Sequence, residues 1–274
     1  MTTTPMVNLS GGARLSFGET GAGPTIVMVH GSPGEGRAWT NVIKQLSNNL
    51  RILTPDLPGY GQSDSLPPET PHRTEAMASA LVELAARQDG AIWLCGHSYG
   101  ANVALHAAVR LGRKVAGLVL IEPVFLRALQ LAQDAQFESA RAFFTDYVVR
   151  AESSEPDAIG IMIDFWCGKG YFERMPEHAR AFLNAAAPKN ACDVRASFSE
   201  TLGVSDLKML DIPVVIVTGD QSPKIAESIA TSCQNMMPNA RTTKIHGATH
   251  LLLDTHAAQV ARLIEENVQV REKR

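Results

Sequence analysis

Ser98 is the side chain around which chemistry can be built. It stands in Gly96-His97-Ser98-Tyr99-Gly100, a Gly-x-Ser-x-Gly pentapeptide. Ala91 to Cys95, just before it, is a short apolar run suited to a buried strand. From Ala101 the spacing turns helical, with Val103, Ala104, Ala107 and Ala108 on one face. A serine at such a strand-to-helix turn is held in a strained conformation with its hydroxyl at the helix N-terminus. The flanking glycines let the backbone turn sharply and let neighbouring chain pass close. A serine hydroxyl is a weak nucleophile at neutral pH and needs a base within hydrogen-bond reach. Of the eight histidines, His250 is the preferred base, because it follows a strand and precedes the apolar run Leu251 to Leu253. His246 is its main rival, but it lies next to the strand end. His97 flanks the nucleophile.

Positioning these groups requires a sheet. Val7 to Leu9 and Arg14 to Glu19 read as strands joined by the turn Ser10-Gly11-Gly12. Thr25 to Val29 is a strand apolar enough for a sheet covered on both faces, and it ends in His30-Gly31-Ser32-Pro33-Gly34. A helix over Ala38 to Leu46 and a strand over Arg51 to Thr54 lead into the turn-rich loop Asp56 to Asp64. Thr74 to Arg87 is an amphipathic helix, and Val115 to Ile121 is a strand ending in Glu122-Pro123. From Val124 to about Leu210 no strand is expected. That stretch holds eight of the nine phenylalanines if Phe125 and Phe198 mark its aromatic limits, and it reads as helices. Alternation resumes with Val214 to Val217, a helix over Ile225 to Met236, and a strand over Arg241 to Ile245. Asp254 is expected to cap a final helix carrying Val260 and Ile264 on one face. Repeated strand-helix units imply a mostly parallel sheet, doubly wound with helices on both faces.

Composition narrows the class. The chain has 274 residues and a net charge of −3, so neither nucleic acid nor an anionic membrane is an expected partner. Met1 to Val7 lacks a basic region followed by an apolar run, so no signal peptide is expected, and no apolar segment approaches a membrane span. The four cysteines show no zinc-like or Cys-x-x-Cys spacing, and a reducing cytoplasm is the expected location. No metal and no cofactor is expected, since there is no dinucleotide or P-loop fingerprint.

Taken together, His30-Gly31-Ser32-Pro33, Asp56 to Asp64, Gly96 to Gly100 and Gly247 to His250 occur in the order found in α/β-hydrolases, and the chain resembles that family over nearly its full length. The resemblance implies an eight-stranded, mostly parallel sheet. It assigns residues 1–123 and 211–274 to the core and 124–210 to an inserted helical cap. It implies a Ser-His-acid triad and an oxyanion hole formed by the backbone N–H groups of Tyr99 and Ser32, with His30 bracing the oxyanion loop. The acid is the point of departure. In the family it usually stands three residues beyond the glycine after the seventh strand, where this chain has Ser222. Some members carry it at the end of the sixth strand, where Glu122 stands here. A carboxylate there would be costly to bury unpaired, and a hydrogen bond to His250 would satisfy it. Glu122 is therefore preferred, with Asp220 as the alternative acid. Phe143, Phe144 and Trp166 are candidate substrate-binding residues of the cap.

The expected activity is cofactor-free hydrolysis of an ester, or a related acyl or C–C bond, in a small apolar substrate. A serine in place of an aspartate argues against the dehalogenases and epoxide hydrolases that share the scaffold. Cofactor-free haloperoxidases, lactonases and meta-cleavage C–C hydrolases share the triad and stay open. A ligand-binding or receptor protein that kept the fold is the reading from a different class. Oligomeric state is not legible.

Overall fold

The computed structural model describes residues 5–47, 49–67 and 70–269. Its eight strands are β1 (Met6–Asn8), β2 (Arg14–Thr20), β3 (Thr25–Val29), β4 (Arg51–Pro55), β5 (Ile92–His97), β6 (Val115–Ile121), β7 (Val214–Gly219) and β8 (Ala240–Ile245). They form one sheet in the order β1-β2-β4-β3-β5-β6-β7-β8. The first two strands pair antiparallel as a hairpin, and β2 runs antiparallel to β4. All remaining pairs are parallel. The strand order reverses at β3, which lies between β4 and β5, so the carboxyl ends of β3 and β5 flank a crevice. Ligands of open α/β sheets bind at such a switch point.

The helices are α1 (Thr40–Ile43), α2 (Arg73–Ala86), α3 (Tyr99–Leu111), α4 (Leu126–Leu131), α5 (Gln136–Glu152), α6 (Ala158–Cys167), α7 (Tyr171–Arg174), α8 (Glu177–Ala196), α9 (Val204–Lys208), α10 (Lys224–Met236), α11 (Leu252–Thr255) and α12 (Ala257–Gln269). They cover both faces of the sheet, and the strands show why. Successive side chains of a strand point to opposite faces. In β5, Ile92 and Leu94 join one core with α2, α3 and α10, while Trp93 and Cys95 join a second core with α1, α11 and α12. A strand buried on both sides reads as an unbroken apolar run, as β3 and β6 do. Between β6 and β7 the regular structure is all helical, α4 to α9 joined by short loops, with no strand. Among the described residues no helix is long and apolar enough to cross a membrane.

Two local expectations need correction. The helix expected over Ala38 to Leu46 is a 3₁₀ turn (Gly36–Trp39) followed by the single-turn α1. After Lys44 the hydrogen bonds step from i−4 to i−3, at Gln45 to Val42 and Leu46 to Ile43, and the coil tightens out of α geometry. Asp254 does not cap the last helix. Its own N–H is already bonded to the Leu251 carbonyl within α11, and its carboxylate accepts from Asn41 Nδ2 at 3.0 Å. The first bond of α12 runs from the Val260 N–H to the His256 carbonyl.

Candidate active site

Strand β5 delivers Ser98 directly into the first turn of α3. Ser98 has φ +54° and ψ −126°, a conformation that L side chains rarely adopt. It is fixed from both sides. Its N–H donates to the Ile121 carbonyl of β6, and its carbonyl accepts from the Ala101 N–H, both at 2.9 Å. The flanking glycines are required by space. A Cβ on Gly96 would lie 2.3 Å from the Gly100 carbonyl oxygen, and one on Gly100 would lie 2.2 Å from the His30 carbonyl oxygen. Backbone cannot yield to such contacts as a flexible side chain would.

The Ser98 hydroxyl lies 2.9 Å from His250 Nε2, and His250 Nδ1 lies 3.0 Å from Glu122 Oε2. All three residues are buried, Glu122 completely. Glu122 begins the loop after β6 with φ +47°, and its N–H donates to the Val217 carbonyl at 2.7 Å. Its second oxygen accepts from the Gly219 N–H at 2.6 Å and from the Ser222 hydroxyl at 2.8 Å. Four hydrogen bonds in all thus anchor the residue, three of them on the carboxylate, which offsets the cost of burying it. Ser222, standing where the family usually has its aspartate, hydrogen-bonds the carboxylate that comes from β6. With the carboxylate accepting, His250 carries its proton on Nδ1, and Nε2 is left to accept from the Ser98 hydroxyl. Trp166 of α6 stacks on the His250 ring at a centroid distance of 4.7 Å. The His250 carbonyl accepts from His97 Nε2 at 3.0 Å. Burial keeps His97 neutral, lowering its pKa to about 3.

Asp220 sits elsewhere. It pairs with His246 Nδ1 at 2.5 Å and accepts from the Gly247 N–H at 2.7 Å. The alternative acid and the alternative base therefore meet each other at the surface, with the His246 side chain 97% exposed.

The loop after β3 brings Ser32 beside this group. His30 braces it, donating from Nδ1 to the Gly31 carbonyl at 2.7 Å and accepting the Leu57 N–H on Nε2 at 2.9 Å. Burial lowers the His30 pKa to about 4, which keeps Nε2 free to accept. Among the described residues, the main-chain N–H groups of Ser32 and Tyr99 have no acceptor within the protein. The loop from Asp56 to Asp64 is a brace as well, with the Asp56 carboxylate accepting the Gly36 and Gln62 N–H groups.

A cavity of about 310 Å³ opens onto Ser98 and His250, walled by the loops after β3 and β5 and by helices from between β6 and β7. Phe144 and Trp166 line it; Phe143 does not. Neighbouring residues on a helix point about 100° apart, and Phe143 is turned against Phe144 and Phe165, with centroids 5.2 and 4.7 Å away. The structure thus places Phe144 and Trp166, but not Phe143, on the cavity wall. Among the described residues no three His, Cys, Asp or Glu side chains converge as metal ligands would.

One polar cluster escaped the sequence. On α8, Asp193 is 1% exposed, and its Oδ1 lies 2.7 Å from Nε of Arg73, which is also buried. Its Oδ2 accepts from the Tyr60 hydroxyl at 2.5 Å and the Ser32 hydroxyl at 2.7 Å. Burial lifts the Asp193 pKa, against the pull of Arg73, Tyr60 and Ser32. Arg73 and Asp193 are too far apart in sequence for any local pattern to link them. The available signal was a carboxylate on the buried side of a helix that also buries Leu183, Ala187 and Asn190.

Comparison with known proteins agrees with this architecture. A family model described as "Alpha/beta hydrolase family" matches residues 26–263. The chain is 26% identical over 269 residues to the polyketide synthase ThaQ of Burkholderia thailandensis, matching over 93% of its own length but only 12% of that protein's. It is 25% identical over 257 residues to a pimeloyl-[acyl-carrier protein] methyl ester esterase of Xylella fastidiosa, covering 90% of this chain and 95% of that one. Among solved structures, a thermophilic esterase from Thermogutta terrifontis superposes with a TM-score of 0.74 at 24% identity, covering 97% of both chains. With the eight-stranded sheet and a family match spanning most of its length, the chain belongs to the α/β-hydrolase family.

Proposed function

We propose that this protein is a cofactor-free serine hydrolase that cleaves esters of small apolar acids. The observation that carries the reading is the hydrogen-bonded chain from Ser98 through His250 to Glu122, with spacings of 2.9 and 3.0 Å, at the mouth of an apolar cavity. In this reading Ser98 Oγ attacks the acyl carbon while His250 Nε2 takes its proton. Glu122 holds the imidazole in the required tautomer and stabilises the imidazolium that forms. The N–H groups of Ser32 and Tyr99 receive the developing oxyanion. The tetrahedral adduct collapses, His250 returns the proton to the departing alkoxide, and an acyl-Ser98 ester remains. Water, deprotonated by His250, then attacks that ester, and a second collapse frees the acid and restores the Ser98 hydroxyl.

The segment between β6 and β7 acts as the cap, and its apolar residues, Phe144 and Trp166 among them, hold the acyl group. The cavity stands at the small end of the range for ligand pockets, about 300–1,000 Å³, which favours short acyl chains. The similarity to an ester-cleaving relative supports the same bond type. The test is hydrolysis of a p-nitrophenyl ester series, acetate to octanoate, by wild type and Ser98→Ala. Turnover is expected to favour the short esters and to vanish in the variant. Undiminished turnover by Ser98→Ala would overturn the reading.

A further inference from the structure

We propose that Asp193 is a positioning residue for the oxyanion loop, acting from α8 through the Ser32 hydroxyl. The inference rests on the hydrolase reading and adds to it a dependence of the oxyanion donor on the cap.

Ser32 contributes two groups. Its N–H is the proposed oxyanion donor, and its side chain points into the polar cluster. There the hydroxyl donates to Asp193 Oδ2 at 2.7 Å, accepts from Asn190 Nδ2 at 2.9 Å, and lies 2.8 Å from the Tyr60 hydroxyl. Each partner is held from behind. Asp193 is tied to Arg73 and Tyr60, and Asn190 Oδ1 accepts from the Tyr147 hydroxyl at 2.6 Å. A loop serine ordinarily samples several rotamers; this one is fixed by three contacts.

The loop needs such a hold. It carries glycines at positions 31 and 34 and no regular structure, and an oxyanion donor works only when its N–H lies within hydrogen-bond distance of the place where charge develops. His30 fixes the base of the loop, and Ser32 fixes the donor residue itself. Stability alone gives weak reason for the arrangement. A buried ion pair is commonly no better for folding than apolar residues of the same size, and the neighbouring wall of the cavity, Leu183 and Val194, is apolar. An aligned carboxylate fixes a hydroxyl in direction as well as distance, which an apolar contact does not. Because Asp193 belongs to the helices between β6 and β7, the donor is held in place only when α8 is seated on the core.

The test is steady-state kinetics on p-nitrophenyl butyrate, normalised to sites titrated by a fluorophosphonate, for Ser32→Ala, Ser32→Thr, Asp193→Asn and the double variant Ser32→Ala/Asp193→Asn. Ser32→Ala keeps the N–H and loses the hydroxyl. It is expected to lower kcat about 10- to 100-fold, the scale of a misplaced or weakened oxyanion donor, with KM within about threefold. Ser32→Thr restores most of that loss. Adding Asp193→Asn to Ser32→Ala costs no more than about a further twofold in kcat, because both act along one path. Affinity for butylboronic acid, which forms a tetrahedral adduct with the serine, falls in parallel with kcat. A Ser32→Ala enzyme with wild-type kcat per site overturns the proposal, as does a rise in KM alone or full multiplication of the two losses. Should Asp193→Asn fail to fold with Arg73 left unpaired, Asp193→Glu, which keeps the charge opposite Arg73 but displaces the oxygen that holds Ser32, takes its place in the single and the double variant, with the same outcomes deciding. Failure of the underlying hydrolase reading is separately visible as turnover that survives Ser98→Ala.

Discussion

At the scale of single residues, the arrangement turns on which carboxylate serves His250. Glu122 touches the imidazole, whereas Asp220 touches His246 at the surface. Glu122→Gln is near-isosteric, and its amide supports the wrong imidazole tautomer. It is expected to lower kcat by about 10⁴, as loss of an orienting carboxylate does in another serine enzyme, with its thermal unfolding midpoint close to wild type. Asp220→Asn is expected to stay within about threefold of wild type, as surface substitutions usually do. A dead Asp220→Asn enzyme beside an active Glu122→Gln one would reverse the assignment. The sequence singled out Glu122 because a carboxylate directly after the apolar run Leu118 to Ile121 must find a partner when buried. It gave no such lead to Asp193, whose partners Ser32, Tyr60 and Arg73 come from distant parts of the chain.

At the scale of elements, the β5–α3 turn has no room for a side chain at either of its glycines. Gly100→Ala would drive a methyl group into the main-chain oxygens of Val29 and His30. Overpacking of this kind costs about 1–3 kcal/mol, and with backbone on the opposing side the upper end is expected. Urea titration measures the loss, and an unchanged midpoint would show that the turn has room to spare. On α5 the two neighbouring phenylalanines face different surroundings, Phe144 the cavity and Phe143 the Phe165 ring. Phe144→Leu is expected to shift the preferred p-nitrophenyl ester toward longer chains, and Phe143→Leu to leave the preference unchanged; the reverse pattern would place Phe143 on the substrate. The central strands were legible because strands buried on both faces are continuous apolar runs. The facing of the helices between β6 and β7 was not. Their apolar residues serve the core and the cavity alike, and only tertiary packing divides Phe143 from Phe144.

At the scale of the whole molecule, buried histidines set the response to acid. Burial lowers His30 to about 4, His97 to about 3 and His106 to about 4, from the ordinary 6.5. Unfolding exposes three imidazoles that bind protons near 6.5, whereas the folded chain takes none there until about 4. The unfolded state then holds more protons, and stability falls as pH drops below 6.5, by up to about 1.4 kcal/mol per unit for each histidine. Glu200 and Asp193, raised chiefly by burial, act in the opposite direction, losing stability as pH rises through their folded pKa values. The histidines' share is read by comparison: His106→Gln is expected to make the pH 5 urea midpoint, relative to that at pH 6.5, higher than in wild type, and an unchanged pH dependence would mean that this ring is not neutral in the fold. The order of the strands and the switch point between β3 and β5 place Ser98, His250, Glu122 and the Ser32 loop at one end of the sheet, and the claim that this end performs acyl transfer is open to one direct measurement. Wild-type protein is treated with a fluorophosphonate and digested, and the modified peptide is identified by mass spectrometry, with butyrate-ester turnover followed in parallel for wild type and Ser98→Ala. The label is expected on Ser98 alone, with turnover in Ser98→Ala lower by about 10⁶. A label on another residue, or full turnover without the Ser98 hydroxyl, would contradict the account.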